Sequence, residues 1–311
     1  MFNTGAVYIV IPAYNAEKTI EKALCSVLTQ QGVDVRVLVI DHGSSDETVA
    51  LISKYVTPGI VDLISIPRKL TEKKSASRPL EYGINHLINC KHDSSDMWFM
   101  RLDADDVLAS NSSVELLLSR AAGKELMIGR IIFFDNDRLT SETYTVKPDC
   151  RSKQTLLCGA VYSMPHHATL IHFNLLQRVR ERRGFAVDAQ LSYGEDLDLT
   201  VELLKECDND KFSFVDLDFY YKRLDGATIS HTSRRCSIAL DHVRLFRRHG
   251  FICSKLFARV LADLILQQLG FLNSPIRDWI GYPGRRWAEI YEVPYDMVRS
   301  RLDILESMRK K

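Results

Sequence analysis

The segment MWFMRLDADDVL, residues 97–108, joins an apolar, strand-like run to three aspartates within four positions. The three are Asp103, Asp105 and Asp106. Carboxylates this close repel one another and resist burial. At the end of a buried strand they indicate a site for a hard divalent cation, which prefers carboxylate oxygens. The alternative is a loop turn in which Asp106 caps a following helix.

Outward from this segment, the preceding chain alternates between strands and helices. Continuous apolar, β-branched runs predict strands, and apolar residues at helical spacing predict the helices between them. The strands are predicted at 7–12, 34–41, 61–67 and 97–103, and the helices at 16–32, 43–55 and 78–89. A capping box from Ser44 to Glu47 is predicted to open the second helix. This order is typical of an α/β fold with a mostly parallel sheet and helices on both faces.

The rest of the chain predicts additional strands in a mixed sheet and then a helical tail. Strands are predicted at 126–135, 143–148 and 212–223, and helices at 168–183 and 195–206. From about Arg234 the pattern is mostly helical. We therefore predict an α/β domain over residues 1–233 and a helical C-terminal extension over residues 234–311.

The composition excludes several classes of protein. The chain has 311 residues, of which 46% are hydrophobic and 26% charged, as in a globular protein. A formal net charge of +1 gives no overall attraction to nucleic acid, so no nucleic-acid partner is expected. The seven cysteines include no CxxC pair and indicate free thiols in a reducing cytoplasm. The N-terminal residues do not resemble a signal peptide, and no stretch is long and apolar enough to span a membrane.

Further polar residues lie where strands and helices meet. Asp41 ends the second strand and is either a hydrogen-bond acceptor for a nucleotide or a turn residue. Glu195 and Asp196 open a predicted helix, where the helix dipole favours acids; alternatively, one of them is a general base. Other candidates have solvated or structural alternatives. They are His166, His167 and His172, which are expected to make core hydrogen bonds, and Lys73, Lys74 and Arg78, which are expected on a solvated face, with a phosphate clamp as the alternative.

Together these segments resemble the family 2 glycosyltransferases, which have a GT-A fold. The resemblance runs from about Val7 to Ser230. VIPAYN is similar to the family's opening strand, VIDHGSSDET to its VDDGSTDGT segment and PLEYGI to ALNxGI. MRLDADDVL resembles a subgroup's ARMDADDI, HATLIHF its HxTVMFR and YGEDLDLTVEL its AEDYDLWLRL. His42 and Glu81 depart from the pattern, and the QxxRW motif of processive members is missing.

The resemblance implies an inverting, non-processive transfer of a sugar from a nucleoside diphosphate, most simply UDP. The acceptor would be a carbohydrate or a lipid-linked hydroxyl in surface polysaccharide or glycoconjugate biosynthesis. Asp103 and Asp105 would form the DxD motif that holds Mn2+ or Mg2+, with His231 beside Ser230 as a third ligand. The nucleotide would contact Pro12, Tyr14, Asn15, Asp41, Arg78, Asp103 and Ala104. Asp196 would be the catalytic base, and Glu195 and His167 would lie on the acceptor side.

Three other functions fit parts of the sequence. DADDV also fits the nucleophile motif of haloacid-dehalogenase-type phosphatases, but those enzymes carry it on their first strand. A sugar-nucleotide pyrophosphorylase would need a glycine-rich basic loop after the first strand, and PAYNAEKT is not one. A non-catalytic binding protein would not need both acidic motifs.

The tail after Arg234 mixes basic and apolar residues. They are Arg244, Leu245, Phe246, Arg247, Arg248, Phe251, Lys255, Leu256, Phe257 and Arg259. Such a helix can lie on an anionic bilayer, which would place a cytoplasmic protein at the inner face of the membrane. The alternative is a helix packed on the core with a solvated basic face.

Overall fold

A mixed β-sheet with helices on both faces forms the protein in a computed structural model. The structure describes residues 5–68, 75–90, 96–135, 138–146, 148, 151–157, 165–223 and 235–250, without the side chains of 135, 138–144, 235–240 and 242. The strand order is β3-β2-β1-β4-β8-β6-β9-β5, and β7 pairs with β6. Strands β3, β2, β1 and β4 are parallel, whereas β8 is antiparallel to β4 and β6. This confirms the predicted α/β class.

The elements have the following bounds. The strands are β1 Val7–Ala13, β2 Val35–Asp41, β3 Val61–Ser65, β4 Trp98–Arg101, β5 Val107–Leu108, β6 Leu126–Asp135, β7 Arg138–Tyr144, β8 Thr169–His172 and β9 Phe212–Arg223. The helices are α1 Ile20–Leu28, α2 Thr48–Ser53, α3 Ser77–Asn89, α4 Ser113–Leu118, α5 Lys153–Leu157, α6 Phe173–Arg183, α7 Glu195–Glu206 and α8 Arg235–His249.

The core has two halves, one on each face of the sheet. Successive strand residues point to opposite faces, so Val10 packs with α3, α6 and α7, whereas Ile9 packs with α1 and α4. All seven residues of β1 are buried, as expected for a central parallel strand that helices cover on both sides. The sheet therefore holds the strand ends in fixed positions relative to one another.

Three local predictions were wrong. Residues 169–172, predicted as the start of a helix, form β8 because their apolar side chains pair with β4 and β6 in the sheet. The predicted capping box is absent: Glu47 is the N-cap of α2 without a side-chain bond, and Ser44 instead accepts a hydrogen bond from the Asn15 N–H. The strand predicted from Thr143 ends at Tyr144, where β7 stops pairing with β6.

No helix within the described ranges combines the length and the hydrophobicity that a membrane span needs. The segment around the predicted boundary at 233/234 lies mostly outside the described residues, so that boundary stays a prediction. Helix α8, just after it, buries Leu245 and Phe246 in the same half of the core as α7. Up to residue 250, these two side chains therefore fit the alternative in which the tail helix packs on the core rather than lying on a membrane.

Candidate active site

The carboxyl ends of four strands meet at one edge of the sheet. Strands β1, β2 and β4 run parallel and end at Ala13, Asp41 and Arg101. Strand β9 is parallel to β6 and brings Arg223 to the same edge. This is the edge at which open α/β sheets bind ligands, and both predicted acidic motifs lie there.

The three aspartates after β4 form one cluster. Each of Asp103, Asp105 and Asp106 offers a carboxylate oxygen, and these oxygens lie within 4.8 Å of one another. Burial raises the pKa of Asp105, and the charge of Asp103 adds to the effect while Lys222 opposes it. Within the described part of the chain, no side chain donates a hydrogen bond to the Asp105 carboxylate. Hard oxygen donors under mutual repulsion fit a divalent cation such as Mn2+ or Mg2+.

Asp106 has a structural role that the sequence did not predict. It does not cap a helix; the short strand β5 follows it, and its side chain is buried. Its carboxylate accepts hydrogen bonds from the Tyr220 hydroxyl at 2.8 Å and from the Arg223 N–H at 2.7 Å. Burial, with the neighbouring carboxylates adding and Lys222 opposing, raises the pKa of Asp106 to about 7. Asp106 therefore fastens the aspartate loop to the end of β9.

Arg101 connects the two acidic motifs. Its Nε lies 2.6 Å from Asp103 Oδ1 and its Nη1 lies 3.1 Å from Glu195 Oε1. The Arg101 and Glu195 side chains are each about 10% exposed, so water screens this pair little. Burial raises the pKa of Glu195, and the Arg101 charge opposes that shift. In the sequence, Arg101 looks only like an interruption of an apolar strand, so its role was not predicted.

His167 lies between the first aspartate of the DxD pattern and the predicted base. Its Nε2 is 3.2 Å from Asp103 Oδ2 and 3.8 Å from Asp196 Oδ2. Burial alone would raise the pKa of Asp196, but nearby His166, His167 and Arg101 lower it to about 2. Asp196 is therefore ionised at neutral pH. The residues predicted from separate motifs are thus brought into contact.

The other two histidines make local hydrogen bonds, as the sequence predicted. His166 Nδ1 lies 2.9 Å from the Thr200 hydroxyl, and His172 Nδ1 accepts the N–H of Asn174 at the start of α6. Burial lowers the pKa of His166 to about 4, so it is neutral at physiological pH.

Lys222 is a second basic residue of the site that the sequence analysis did not single out. It lies one residue before the end of β9, and its Nζ is 3.8 Å from Asp103 Oδ2 and 3.6 Å from Asp106 Oδ2. Nζ is also 3.5 Å from His167 Nε2. Burial alone would lower the pKa of Lys222, but the surrounding aspartates raise it, so the side chain stays charged.

The loops after β1 and β2 hold each other in place. Asn15 adopts a left-handed backbone conformation with φ of 47°, and its N–H donates to the Ser44 hydroxyl at 2.9 Å. Its side-chain oxygen accepts the Ser45 N–H at 2.9 Å. Asp41, 2% exposed, accepts the N–H groups of Gly43 and Ser44, so it serves the turn. These contacts join the loops after β1 and β2, residues 14–15 and 42–45, which together form one edge of the site, the rim.

An aromatic and a cationic side chain stack beside this rim. The guanidinium carbon of Arg68 lies 4.4 Å from the centre of the Tyr14 ring. A Cβ added at Gly43 would come within 3.1 Å of the Arg68 side chain, so glycine permits this close approach. His42, which replaces an aspartate of the similar family segment, is buried there, and its N–H donates to the Ala13 carbonyl.

The remaining predicted residues are more scattered. Pro12 and Ala104 are buried at the ends of β1 and β4, and Arg78 lies in the first turn of α3. Glu81 accepts the N–H groups of Ala186 and Val187, which holds the segment that leads toward α7. Lys73, Lys74, Ser230 and His231 lie outside the described residues.

The chain is similar in sequence to several bacterial proteins, some of which are named as glycosyltransferases. It is 27% identical over 192 residues to the succinoglycan biosynthesis protein ExoO of Rhizobium meliloti. The matched region covers 61% of this chain and 51% of that protein. It is 32% identical over 118 residues to a 4,4'-diaponeurosporenoate glycosyltransferase of Staphylococcus aureus, covering 37% of this chain and 30% of that protein. The chain thus spans about half the length of ExoO and less of the other.

Solved structures share the fold. S. aureus TarS 1-349 in complex with UDP-GlcNAc has a TM-score of 0.56 and 14% identity, covering 78% of this chain and 67% of that one. Glucosyl-3-phosphoglycerate synthase from Mycobacterium tuberculosis, in complex with Mn2+, UDP and glucosyl-3-phosphoglycerate, has a TM-score of 0.51 and 16% identity, covering 80% and 82%. These likenesses identify the GT-A fold.

More than half of this chain matches a family of proteins as a whole. The family model for glycosyl transferase family 2 matches residues 8–180, more than half of the chain. That region contains both strand ends of the rim and all three clustered aspartates. The chain belongs to glycosyl transferase family 2.

Proposed function

We propose that the protein transfers a single sugar from a nucleoside-diphosphate sugar, UDP-linked, to an acceptor hydroxyl with inversion at the anomeric carbon. The observation that carries the proposal is the contact between two acidic motifs: Asp103 and Asp196 both face His167, at 3.2 and 3.8 Å. One motif suits the leaving diphosphate and the other suits the attacking hydroxyl. A single displacement needs both groups at one anomeric carbon.

The donor side is assigned to the aspartate cluster. Asp103 and Asp105 would hold Mn2+ or Mg2+, which neutralises the charge that develops on the leaving diphosphate. Arg101 and His167 both contact Asp103 and fix its orientation. The Mn2+ and UDP in the glucosyl-3-phosphoglycerate synthase complex support the choice of ligand.

The nucleotide side is assigned to the rim. The stacked pair of Tyr14 and Arg68 offers a flat surface for a base, and Asn15 lies beside it. Asp41 accepts the N–H groups of Gly43 and Ser44 and so holds the turn beside this surface. It would thereby fix the surface that the nucleotide contacts and also accept a hydrogen bond from the nucleotide. Pro12, Arg78 and Ala104 complete the proposed contacts.

The acceptor side is assigned to the start of α7. Asp196 is the proposed base because its side chain is 24% exposed, whereas the Glu195 carboxylate is about 10% exposed and engaged by Arg101. A carboxylate at this position can take the proton of an attacking hydroxyl. His167 orients Asp196 and borders the same space.

The finer identity of the acceptor is also a proposal. The name of ExoO as a succinoglycan biosynthesis protein supports a carbohydrate or lipid-linked acceptor in surface polysaccharide or glycoconjugate synthesis. A lipid-linked acceptor would place this protein at the inner face of the cytoplasmic membrane. Phosphatase chemistry is less well supported, because Asp103 is held by Arg101 and His167 rather than presented as a nucleophile.

Titration calorimetry of UDP with Mn2+ and with EDTA tests the proposal. We expect binding with Mn2+ and a loss of affinity of at least about tenfold with EDTA, because the divalent charge between the carboxylates and the diphosphate would then be missing. Asp105→Asn should reproduce the loss in the presence of Mn2+. The matched control is Asp216→Asn, in the first half of β9 and in a surface pair with Arg151. Equal UDP affinity with Mn2+ and EDTA would contradict the metal assignment.

A further inference from the structure

The Lys222 ammonium lies close to two of the three clustered aspartates. It is within 4 Å of Asp103 Oδ2 and Asp106 Oδ2, and the side chain is 27% exposed. The carboxylate of Asp105 belongs to the same cluster of oxygens. The protein therefore supplies its own positive charge to the group of acids that is proposed to hold a metal.

This charge competes with a divalent cation in two ways. First, both oxygens of the Asp103 carboxylate already have basic partners. Oδ2 lies near Lys222 and His167, and Oδ1 pairs with Arg101. Second, a metal ion a few ångströms from an ammonium group is repelled by it, and the partly buried setting weakens that repulsion little. A free metal ion must therefore displace Lys222 or accept its repulsion.

A diphosphate changes this balance. Its oxygens add negative charge beside the cluster and offer Lys222 a new partner within the reach of its flexible four-carbon side chain. With Lys222 on a phosphate oxygen, Asp103 Oδ2 loses its contact with Lys222 and keeps its contact with His167, so a metal ion can approach it without repulsion from the ammonium group. The same residue then opposes metal binding without nucleotide and favours it with nucleotide.

We propose that Lys222 is a resident counter-ion that keeps free divalent cations out of the aspartate cluster until the donor's diphosphate arrives. This inference rests on the proposed function, because it assigns Lys222 to the same donor site. Lys222 is a positioning residue in the empty site and a diphosphate contact in the loaded one.

Manganese titration followed by electron paramagnetic resonance, first without nucleotide, tests the first half of the proposal. The full-length wild-type protein should bind Mn2+ weakly, and Lys222→Gln should bind it at least about tenfold more tightly because one positive charge is removed. Lys222→Arg keeps the charge and should bind Mn2+ as weakly as the wild type. Lys124→Gln, a remote surface lysine that bonds the Asp210 carbonyl, is the matched control and should change nothing.

Calorimetry with UDP in the presence of saturating Mn2+ tests the second half. Here Lys222→Gln should weaken UDP binding by at least about tenfold, the opposite direction from its effect on Mn2+ alone. If Lys222→Gln fails to fold, the double variant Asp106→Asn, Lys222→Gln replaces it. This variant also removes the charge of the Asp106 carboxylate, which the single substitution would leave without its lysine partner. It should bind free Mn2+ more tightly than Asp106→Asn alone.

The outcomes separate the two proposals. If the wild type binds UDP with Mn2+ but Lys222→Gln takes up free Mn2+ no better than the wild type, the counter-ion role is overturned and the proposed function stands. If neither protein binds UDP with Mn2+, both are overturned. Tighter Mn2+ binding in both Lys222→Gln and Lys222→Arg would also overturn the counter-ion role, since charge would then not be the cause.

Discussion

Two adjacent acids at the start of α7 have different surroundings. Glu195 faces Arg101, and burial raises its pKa, whereas Asp196 faces His166 and His167 and has a pKa of about 2. The backbone N–H of Leu197 donates to the Asp196 carboxylate at 2.7 Å and stabilises its ionised form. Glu195 therefore serves the connection to β4, and Asp196 fits its proposed role on the acceptor side.

Replacing Asp196 tests this division of roles. Asp196→Asn keeps the shape and removes the proton acceptor, so we expect kcat to fall by roughly 10²–10⁴-fold while donor affinity stays nearly unchanged. Steady-state kinetics and calorimetry with the donor measure the two quantities. Glu195→Gln is the matched comparison and should affect stability as well as rate, because it weakens the contact with Arg101. Full turnover in Asp196→Asn with an inactive Glu195→Gln would move the base back by one residue.

At the scale of an element, α7 joins the site to the C-terminal side of the protein. Besides Glu195 and Asp196 it carries two other acids, Asp198 and Glu202, which are buried. Asp198 accepts hydrogen bonds from Arg183, Arg248 and His249, at 2.7, 3.1 and 2.8 Å. Helix α7 thus exposes one acid to the site and uses two others to hold α6 and α8.

This buried network predicts a loss of stability in acid. Burial alone would raise the pKa of Glu202, but the hydrogen bonds from His249, Lys205 and Arg182 lower it well below its ordinary value of 4.5. Unfolded chains then bind protons more readily than folded ones, so Glu202 stabilises the fold above about pH 4.5 and loses this effect as the pH falls further. Glu202→Gln should cost roughly 1–3 kcal/mol at pH 7 and less near pH 3.

Urea denaturation at pH 7 and pH 3 measures that difference. Glu206→Gln is the control, because Glu206 lies on the same helix and also pairs with Arg182 but is 25% exposed rather than 5%. Exposed pairs contribute little, so its cost should be below about 1 kcal/mol at both pH values. An equal cost for Glu202→Gln at the two pH values would mean that its charge is not what stabilises the protein.

At the scale of the whole molecule, the packing of α8 bears on where the α/β domain ends. Leu245 and Phe246 are buried, and Asp241 accepts the Ser192 N–H at 3.0 Å just before α7. Truncation after residue 233 removes these contacts, whereas truncation after residue 250 keeps them. Since each buried side chain contributes about 1.5–3 kcal/mol, the shorter protein should melt roughly 10 °C lower.

Differential scanning calorimetry of the two truncated proteins makes the comparison. Within the longer one, Leu245→Ala should cost about 2–5 kcal/mol, and the exposed Val243→Ala should cost far less. Equal melting temperatures for the two truncations would favour the predicted boundary at 233/234 as a true domain boundary.

The sequence predicts the parallel half of this molecule well for a physical reason. Strands buried on both faces need continuous apolar runs, so β1, β2 and β4 are visible without knowledge of their partners. The segment 169–172 was misassigned because its apolar residues also fit a helical spacing, and pairing with β4 and β6 decided the outcome.

The same limit explains which site residues were missed. Asp103 and Asp196 belong to recognisable acidic motifs, whereas Arg101, Arg68 and Lys222 acquire a role only through distant partners. Arg101 meets Glu195 across 94 positions of the chain. A lone basic residue in or beside an apolar strand gives no signal of such a partner, so only the folded structure could identify it.

The hydrogen bonds between Asn15 and the β2 loop have a thermodynamic consequence for the donor. They fix a left-handed backbone at the rim through contacts within the protein itself, so the conformational entropy of that loop is lost on folding rather than on binding. A ligand that meets a surface already ordered in this way keeps more of its interaction energy as affinity. If the rim binds the nucleotide as proposed, it is a preorganised template, and the entropic cost of recognising the nucleotide is transferred to the folding of the chain.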